Sequence, residues 1–216
     1  MTKTEQLNAL FSEWRENREE YKGQFIKDGI IDETLYNTQK PKLLFIGKEA
    51  NDGKGKDWDY RDHIMDGVKY KYNLRVAEWA YGIQNNFPAF DNIYRSRETL
   101  TESAKKIAII DVKKNGGKGR CNDLDIKTNI ENNREYLLTQ INIIKPDVII
   151  SGLSNILLVS TLFQGIQFQL SGYVRCVAKW GDYKIIDFYH PSNQNVPAAS
   201  YLLMKAIYQS EAFKQL

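Results

Sequence analysis

The sequence predicts an α/β fold, a three-layer sandwich with a central, mostly parallel four-stranded sheet and helices on both faces. Short apolar runs at 42–46, 107–110, 148–150 and 184–188 are bounded by polar or turn residues, and two of the last three are continuous rather than alternating. Such runs suit strands covered on both faces. Stretches with helical apolar spacing lie between them, and strand–helix alternation is the pattern of parallel sheets with crossover helices.

The elements follow in order. A helix is expected over 4–25, because Leu7, Leu10, Phe11, Trp14, Tyr21 and Phe25 fall mostly three or four residues apart and lay an apolar stripe on the domain. The strand at 42–46 closes at Gly47 and leaves Lys48, Glu49, Asn51 and Asp52 at its carboxyl end. A polar, aromatic-rich loop, DWDYRDH, precedes a helix at 74–84 and a turn marked by Asn85, Asn86 and Pro88. Another helix occupies 96–105. Helices at 129–144, ended by Lys145-Pro146, and at 155–162 flank the strand at 148–150, and a last one follows Pro197, whose fixed φ suits a first helical turn. One domain spanning 1–216 is expected, with 1–40 as an N-terminal helical extension.

Composition narrows the function classes. With 30 Lys+Arg against 27 Asp+Glu the net charge is only +3, so a nucleic-acid surface has to come from local placement of basic residues. Cys121 and Cys176 form no C-x-x-C pair, which argues against a zinc site, an iron–sulfur cluster or a disulfide scaffold and suits a reducing cytoplasm. The opening MTKTEQLNALFSEW lacks the basic-then-apolar order of a secretory signal. Residues 148–174 carry no charge, yet Ser151, Gly152, Ser154, Asn155, Gln164 and Gly165 interrupt them too often for a membrane span. A strand, a loop and a buried helix are expected there, and no membrane partner.

Parallel sheets bind ligands beyond the carboxyl ends of their strands. Here those ends are polar: Gly47 to Asp52, Asp111 to Arg120, Ser151 to Asn155, and Tyr189 to Asn193. A Walker-type phosphate loop fails, since five residues separate Gly47 from Gly53 and Gly55 follows Lys54. No G-x-G-x-x-G is present. With only His63 and His190, and with Asp57, Asp59, Asp62, Asp123 and Asp125 reading as solvated loop carboxylates, no metal and no cofactor is expected.

The segments LLFIGKEANDG, IAIIDVKKNGGKG, KPDVIISGLSN and IIDFYHPSNQN, in that order, resemble the uracil-DNA glycosylase superfamily. In that family an apolar strand ends in a motif such as G-Q-D-P-Y-H or G-E-A-P-G, and a late strand ends in H-P-S. The resemblance runs from about Lys42 to the C-terminal helix and leaves 1–40 outside. It implies a base-excision glycosylase-like protein that hydrolyses the N-glycosidic bond of a damaged or deaminated base extruded from DNA, single- or double-stranded, and works as a monomer. It implies catalytic roles for Glu49 and His190 and base recognition by Asp111, Gly47 and Tyr60, the last as a stacking ring. Ser192, Ser154, Lys113, Lys114 and Lys118, with Arg120, would hold DNA phosphates.

Two positions depart from the family pattern. Ala50 stands in place of a proline, and Asp111 stands where the family has asparagine. An asparagine both accepts and donates, whereas an ionised aspartate only accepts, so uracil itself is discounted unless burial keeps Asp111 protonated. The alternative is a non-catalytic member of the same fold that binds nucleic acid or a nucleobase.

Overall fold

The computed structural model describes every residue except 53, 54, 94, 95, 118, 120, 194 and 195. Helix α1 (Lys3–Asn17) opens with a capping box, in which the Thr2 hydroxyl accepts from the Glu5 N–H and the Glu5 carboxylate accepts from the Thr2 N–H. Leu7, Leu10, Phe11 and Trp14 form its buried stripe. The helix stops well short of residue 25, because Arg18 turns to extended backbone and a single 3-10 turn follows at Glu19–Tyr21. The chain then doubles back, setting Tyr21 and Phe25 edge-on to Trp14 at 6.0 and 5.9 Å. The aromatic stripe is therefore a small cluster built across a turn rather than along one helix.

Two short strands, β1 (Ile26–Lys27) and β2 (Gly29–Ile30), and helix α2 (Glu33–Asn37) lead into β3 (Leu43–Asn51). After it come β4 (Trp58–Asp59), α3 (Tyr60–Met65), α4 (Lys71–Gln84), α5 (Phe90–Ile93), α6 (Arg97–Lys105) and β5 (Ala108–Gly117). The second half comprises α7 (Asp123–Ile144), β6 (Val148–Ser151), α8 (Ile156–Leu162), β7 (Gln167–Tyr173), β8 (Arg175–Trp180), β9 (Tyr183–Asp187), α9 (Pro197–Tyr208) and α10 (Glu211–Lys214). None of the helices among the described residues is long and apolar enough to cross a membrane.

The sheet corrects the expected architecture. It has seven strands and is mixed, in the order β2-β5-β3-β6-β9-β8-β7, and β1 pairs separately with β4. The run β5-β3-β6-β9 is parallel, whereas β2 joins β5 antiparallel and β7, β8 and β9 form an antiparallel meander. The expected four-stranded sheet missed the meander because β7, at the sheet edge, shows solvent most of its side chains and so lacks a clean apolar alternation.

Side chains alternate between two cores. Leu43, Phe45, Ile109, Ile150 and Ile186 face a layer that includes α3, α4, α6 and α9, and Leu44, Ile46, Ile110, Ile149 and Ile185 face one that includes α1, α7 and α8. The period of two along each strand thus assigns the following residues to a face as far as Glu49 and Lys113, where the register shifts. A second correction matters for function. The strands do not close at residues 46 and 110 but run on to Asn51 and Gly117, paired Gly47 with Asp111 and Glu49 with Lys113. β6, in contrast, leaves β3 at Ile46. Beyond that point β3 and β5 continue as a two-stranded ribbon, no longer paired with β6.

The layer of α4 and α9 is closed by Gly82, where a Cβ would lie 2.6 Å from Tyr201 Cε2 and 2.8 Å from Phe87 Cδ1. Helix propensity alone favours alanine over glycine by about 1 kcal/mol, but overpacking a full core costs about 1–3 kcal/mol. Gly82→Ala is therefore expected to lower stability in urea unfolding, and a gain would show that the two rings give way.

Candidate active site

The ribbon's odd-numbered side chains, Glu49, Asp111 and Lys113, share the face of the α4 layer. Gly47 sits among them by necessity, since a Cβ there would lie 2.1 Å from Asp111 Oδ1 and 2.6 Å from the Tyr72 hydroxyl. Gly117 makes the same kind of room, because its Cβ would fall 1.9 Å from the Glu49 carboxyl. Two glycines thus create the space that two carboxyl groups occupy. The register sets Glu49 beside Lys113, and the Lys113 ammonium donates to Glu49 Oε2 at 2.5 Å. This pair is only partly open to solvent, Glu49 at 8% and Lys113 at 22% side-chain exposure.

Asp111 is buried, with its own N–H donating to Asp28 Oδ2 at 2.8 Å. Burial, together with the negative charges of Asp28 and Glu49, moves its carboxyl from 3.8 up to about 7, against a smaller opposing pull from Lys114. Tyr72, in the first turn of α4, points its hydroxyl at the same spot, and that buried oxygen has no hydrogen-bond partner among the described residues. Burial and the Asp111 charge push its phenol well up. A buried hydroxyl left unpaired forfeits a hydrogen bond, which marks a place where a ligand group would be welcome.

Tyr60 does not take the stacking role expected of it. It is buried in the core, donates to Asn73 Oδ1 and packs against Trp58 at 5.7 Å between ring centroids. The ring that reaches Gly47 and His190 is Tyr72, which sequence reading missed because it lies two residues ahead of the helix expected at 74–84. Its centroid is 5.5 Å from that of His190, with the planes inclined by 58°.

His190 follows β9 and is held on both sides. Its N–H donates to the Ser154 hydroxyl, and its Nδ1 accepts from the Ser192 N–H at 3.2 Å. Nδ1 is thereby the acceptor, so the neutral ring carries its proton on Nε2. Burial and the nearby Lys48 charge lower the imidazole from 6.5 to about 4, leaving it neutral at physiological pH. Gly152 lets this segment sit close to β3, since a Cβ would lie 3.0 Å from Pro191 Cδ and 3.1 Å from the Ile46 carbonyl oxygen. Ser154, in left-handed backbone at φ 57°, thus positions His190, while the Ser192 side chain is exposed beside it.

The basic residues divide. Lys48 points to the other face and pairs with Asp123 at 2.6 Å, where Asp123 also accepts from Asn155 Nδ2 at 2.9 Å. Lys114, expected at a phosphate, is instead completely buried on the α1 side and bonded to both oxygens of Asp28 at 2.7 and 2.6 Å. An ammonium enclosed by protein and already paired cannot reach a phosphate, so that assignment is corrected. The expected basic loop is strand as far as Gly117, and Lys118 and Arg120 lie outside the described residues.

The shifts of Asp111 and His190 oppose each other in stability. Folded Asp111 keeps a proton that the unfolded chain releases above 3.8, so its contribution falls as pH rises from about 4 to about 7. Folded His190 refuses a proton that the unfolded chain takes below 6.5, so its contribution rises from about 4 to 6.5. The stability difference between Asp111→Asn and wild type is expected to grow with pH from 4 to 7 in urea titrations. A constant difference would place the Asp111 titration outside that window.

In comparisons with known proteins, no family model matches the chain, and no curated protein matches it.

Proposed function

We propose that the crevice receives a nucleobase turned out of DNA and hydrolyses its N-glycosidic bond. The observation that supports this best is the gathering of Asp111, the unpaired Tyr72 hydroxyl and the Tyr72–His190 ring pair around Gly47, on the face that also carries Glu49. Glycosidic cleavage develops positive, oxocarbenium character on the sugar and negative charge on the departing base. Glu49 would orient water and offset the former. His190, neutral with its proton on Nε2, would donate to a base oxygen as charge grows there. Protonated Asp111 offers one donor and one acceptor side by side, the pattern an amide presents, and its ionised form offers acceptors alone. The base recognised therefore depends on pH near 7. Lys113 and the exposed Ser192 would hold the DNA backbone. The free cysteines Cys121 and Cys176 suit a reducing cytoplasm as the place of action.

One contact favours a second reading, in which the base is bound and not released. Lys113 already offsets the charge of Glu49, leaving less of it for an oxocarbenium ion.

The test presents the protein with single- and double-stranded oligonucleotides carrying uracil, hypoxanthine, xanthine or mismatched thymine, and scores abasic sites. Cleavage is expected, reduced by roughly a hundredfold or more in Glu49→Gln and in His190→Ala. Binding of these oligonucleotides without any abasic product would establish the second reading, and failure to bind any of them would end both. For a uracil substrate, affinity is expected to fall between pH 6 and 9 and to become flat in Asp111→Asn.

A further inference from the structure

The segment 24–30 lies outside the stretch that carries the family resemblance, yet it is built into the floor of the site. Asp28, in the turn between β1 and β2, is 2% exposed. Its carboxylate accepts from Lys114 Nζ at both oxygens, from Gln140 Nε2 at 2.6 Å and from the Asp111 N–H at 2.8 Å. Four residues earlier, Gln24 Oε1 accepts from the Gly116 N–H at 2.8 Å, and Gln24 Nε2 donates to Asp52 Oδ2 at 2.8 Å and to the Lys56 carbonyl at 2.9 Å. The Phe25 N–H donates to Asp57 Oδ1 at 2.9 Å. One short segment therefore holds β5 at Asp111, Lys114 and Gly116 and the chain beyond β3 at Asp52, Lys56 and Asp57.

We propose that Asp28 is a positioning residue for the candidate site, fixing the β5 backbone that presents Asp111 and deciding, by its charge, whether Asp111 meets a ligand as an acid or as a carboxylate. The part concerning a ligand rests on the function proposed above; the part concerning Asp111 does not. The groups whose charge bears on Asp111 are Asp28 from the β1–β2 turn, Lys114 from the opposite face of its own strand, Glu49 from β3, Tyr60 from α3 and Tyr72 from α4, while Lys113, on the same face, is paired with Glu49. Both lysines are therefore already paired, and the Lys114 ammonium is bonded directly to Asp28. Asp28 thus claims the available counter-charge and adds a negative charge of its own behind Asp111. Both effects keep a proton on the Asp111 carboxyl.

The test follows the Asp111 side-chain carboxyl by carbon-13 NMR through a pH titration of the whole protein. Asp28→Asn strands the buried Lys114 ammonium and is expected to destabilise the fold, so Asp28→Asn/Lys114→Met, which removes both charges, accompanies it. Lys114→Met alone moves the balance the other way. The Asp111 midpoint is expected near 7 in wild type, lower by about one pH unit in the double variant and higher in Lys114→Met. A purely structural Asp28 would alter stability without moving the midpoint. Midpoints that coincide with wild type in whichever variants fold, or a wild-type midpoint near 4, would overturn the proposal. If oligonucleotides bind, the pH at which affinity halves should move with the midpoint. If none bind while the midpoint still moves, the function proposed above falls and the role of Asp28 toward Asp111 stands.

Discussion

The site depends on one backbone constraint, the continuation of β3 and β5 as a paired ribbon past the point where β6 turns away. Pairing Gly47 with Asp111 and Glu49 with Lys113 puts two successive odd positions of each strand on one face. Because β6 leaves at Ile46, that face opens toward the segment from Ser151 to Ser154 and toward His190. A strand that ended at Gly47 would have scattered these side chains on a loop. A paired strand fixes their spacing to the geometry of the sheet.

Charge neutralisation is the second theme. At this end of the sheet Glu49 pairs with Lys113, Lys48 with Asp123, Lys114 with Asp28 and Arg175 with Asp187. Burying a lone charge is expensive, and pairing brings the cost down to a level the fold tolerates. The groups left to meet a ligand are then mainly polar and near neutral: an imidazole without its second proton, a carboxyl that titrates near 7, and a phenol. Such a set suits the hydrogen-bonding edge of an uncharged heterocycle better than it suits a phosphate.

The histidine is located by a chain of supports that begins away from it. Arg175 bonds the Asp187 carboxylate at 2.6 Å and the Phe188 carbonyl at 3.2 Å, and its guanidinium lies 4.8 Å from the centre of the Tyr189 ring. The antiparallel meander is therefore fastened to the end of β9 and to the two residues that lead from it to the imidazole. Ser154 and Ser192 then fix the backbone and the tautomer.

Much of this was legible in the sequence. The four apolar runs became the parallel strands, and α4, α6, α7, α8 and α9 lie where periodicity and turn residues put helices, because local apolar spacing and capping chemistry are written in consecutive residues. Gly47, Glu49, Asp111 and His190 stood out as polar residues at strand ends. Other features depended on partners distant in the chain. The burial of Lys114 follows from Asp28, 86 residues away, and the withdrawal of Tyr60 into the core follows from its bond to Asn73 and its packing on Trp58. The edge strand of the meander, β7, is held by cross-strand hydrogen bonds to β8 rather than by a marked apolar pattern of its own. Sequence determined which segments form the parallel strands and most of the longer helices, and which residue types crowd the strand ends. Only the tertiary structure decided which of those side chains face one another, because that depends on register, on where a neighbouring strand departs, and on which buried charge finds a counter-charge first.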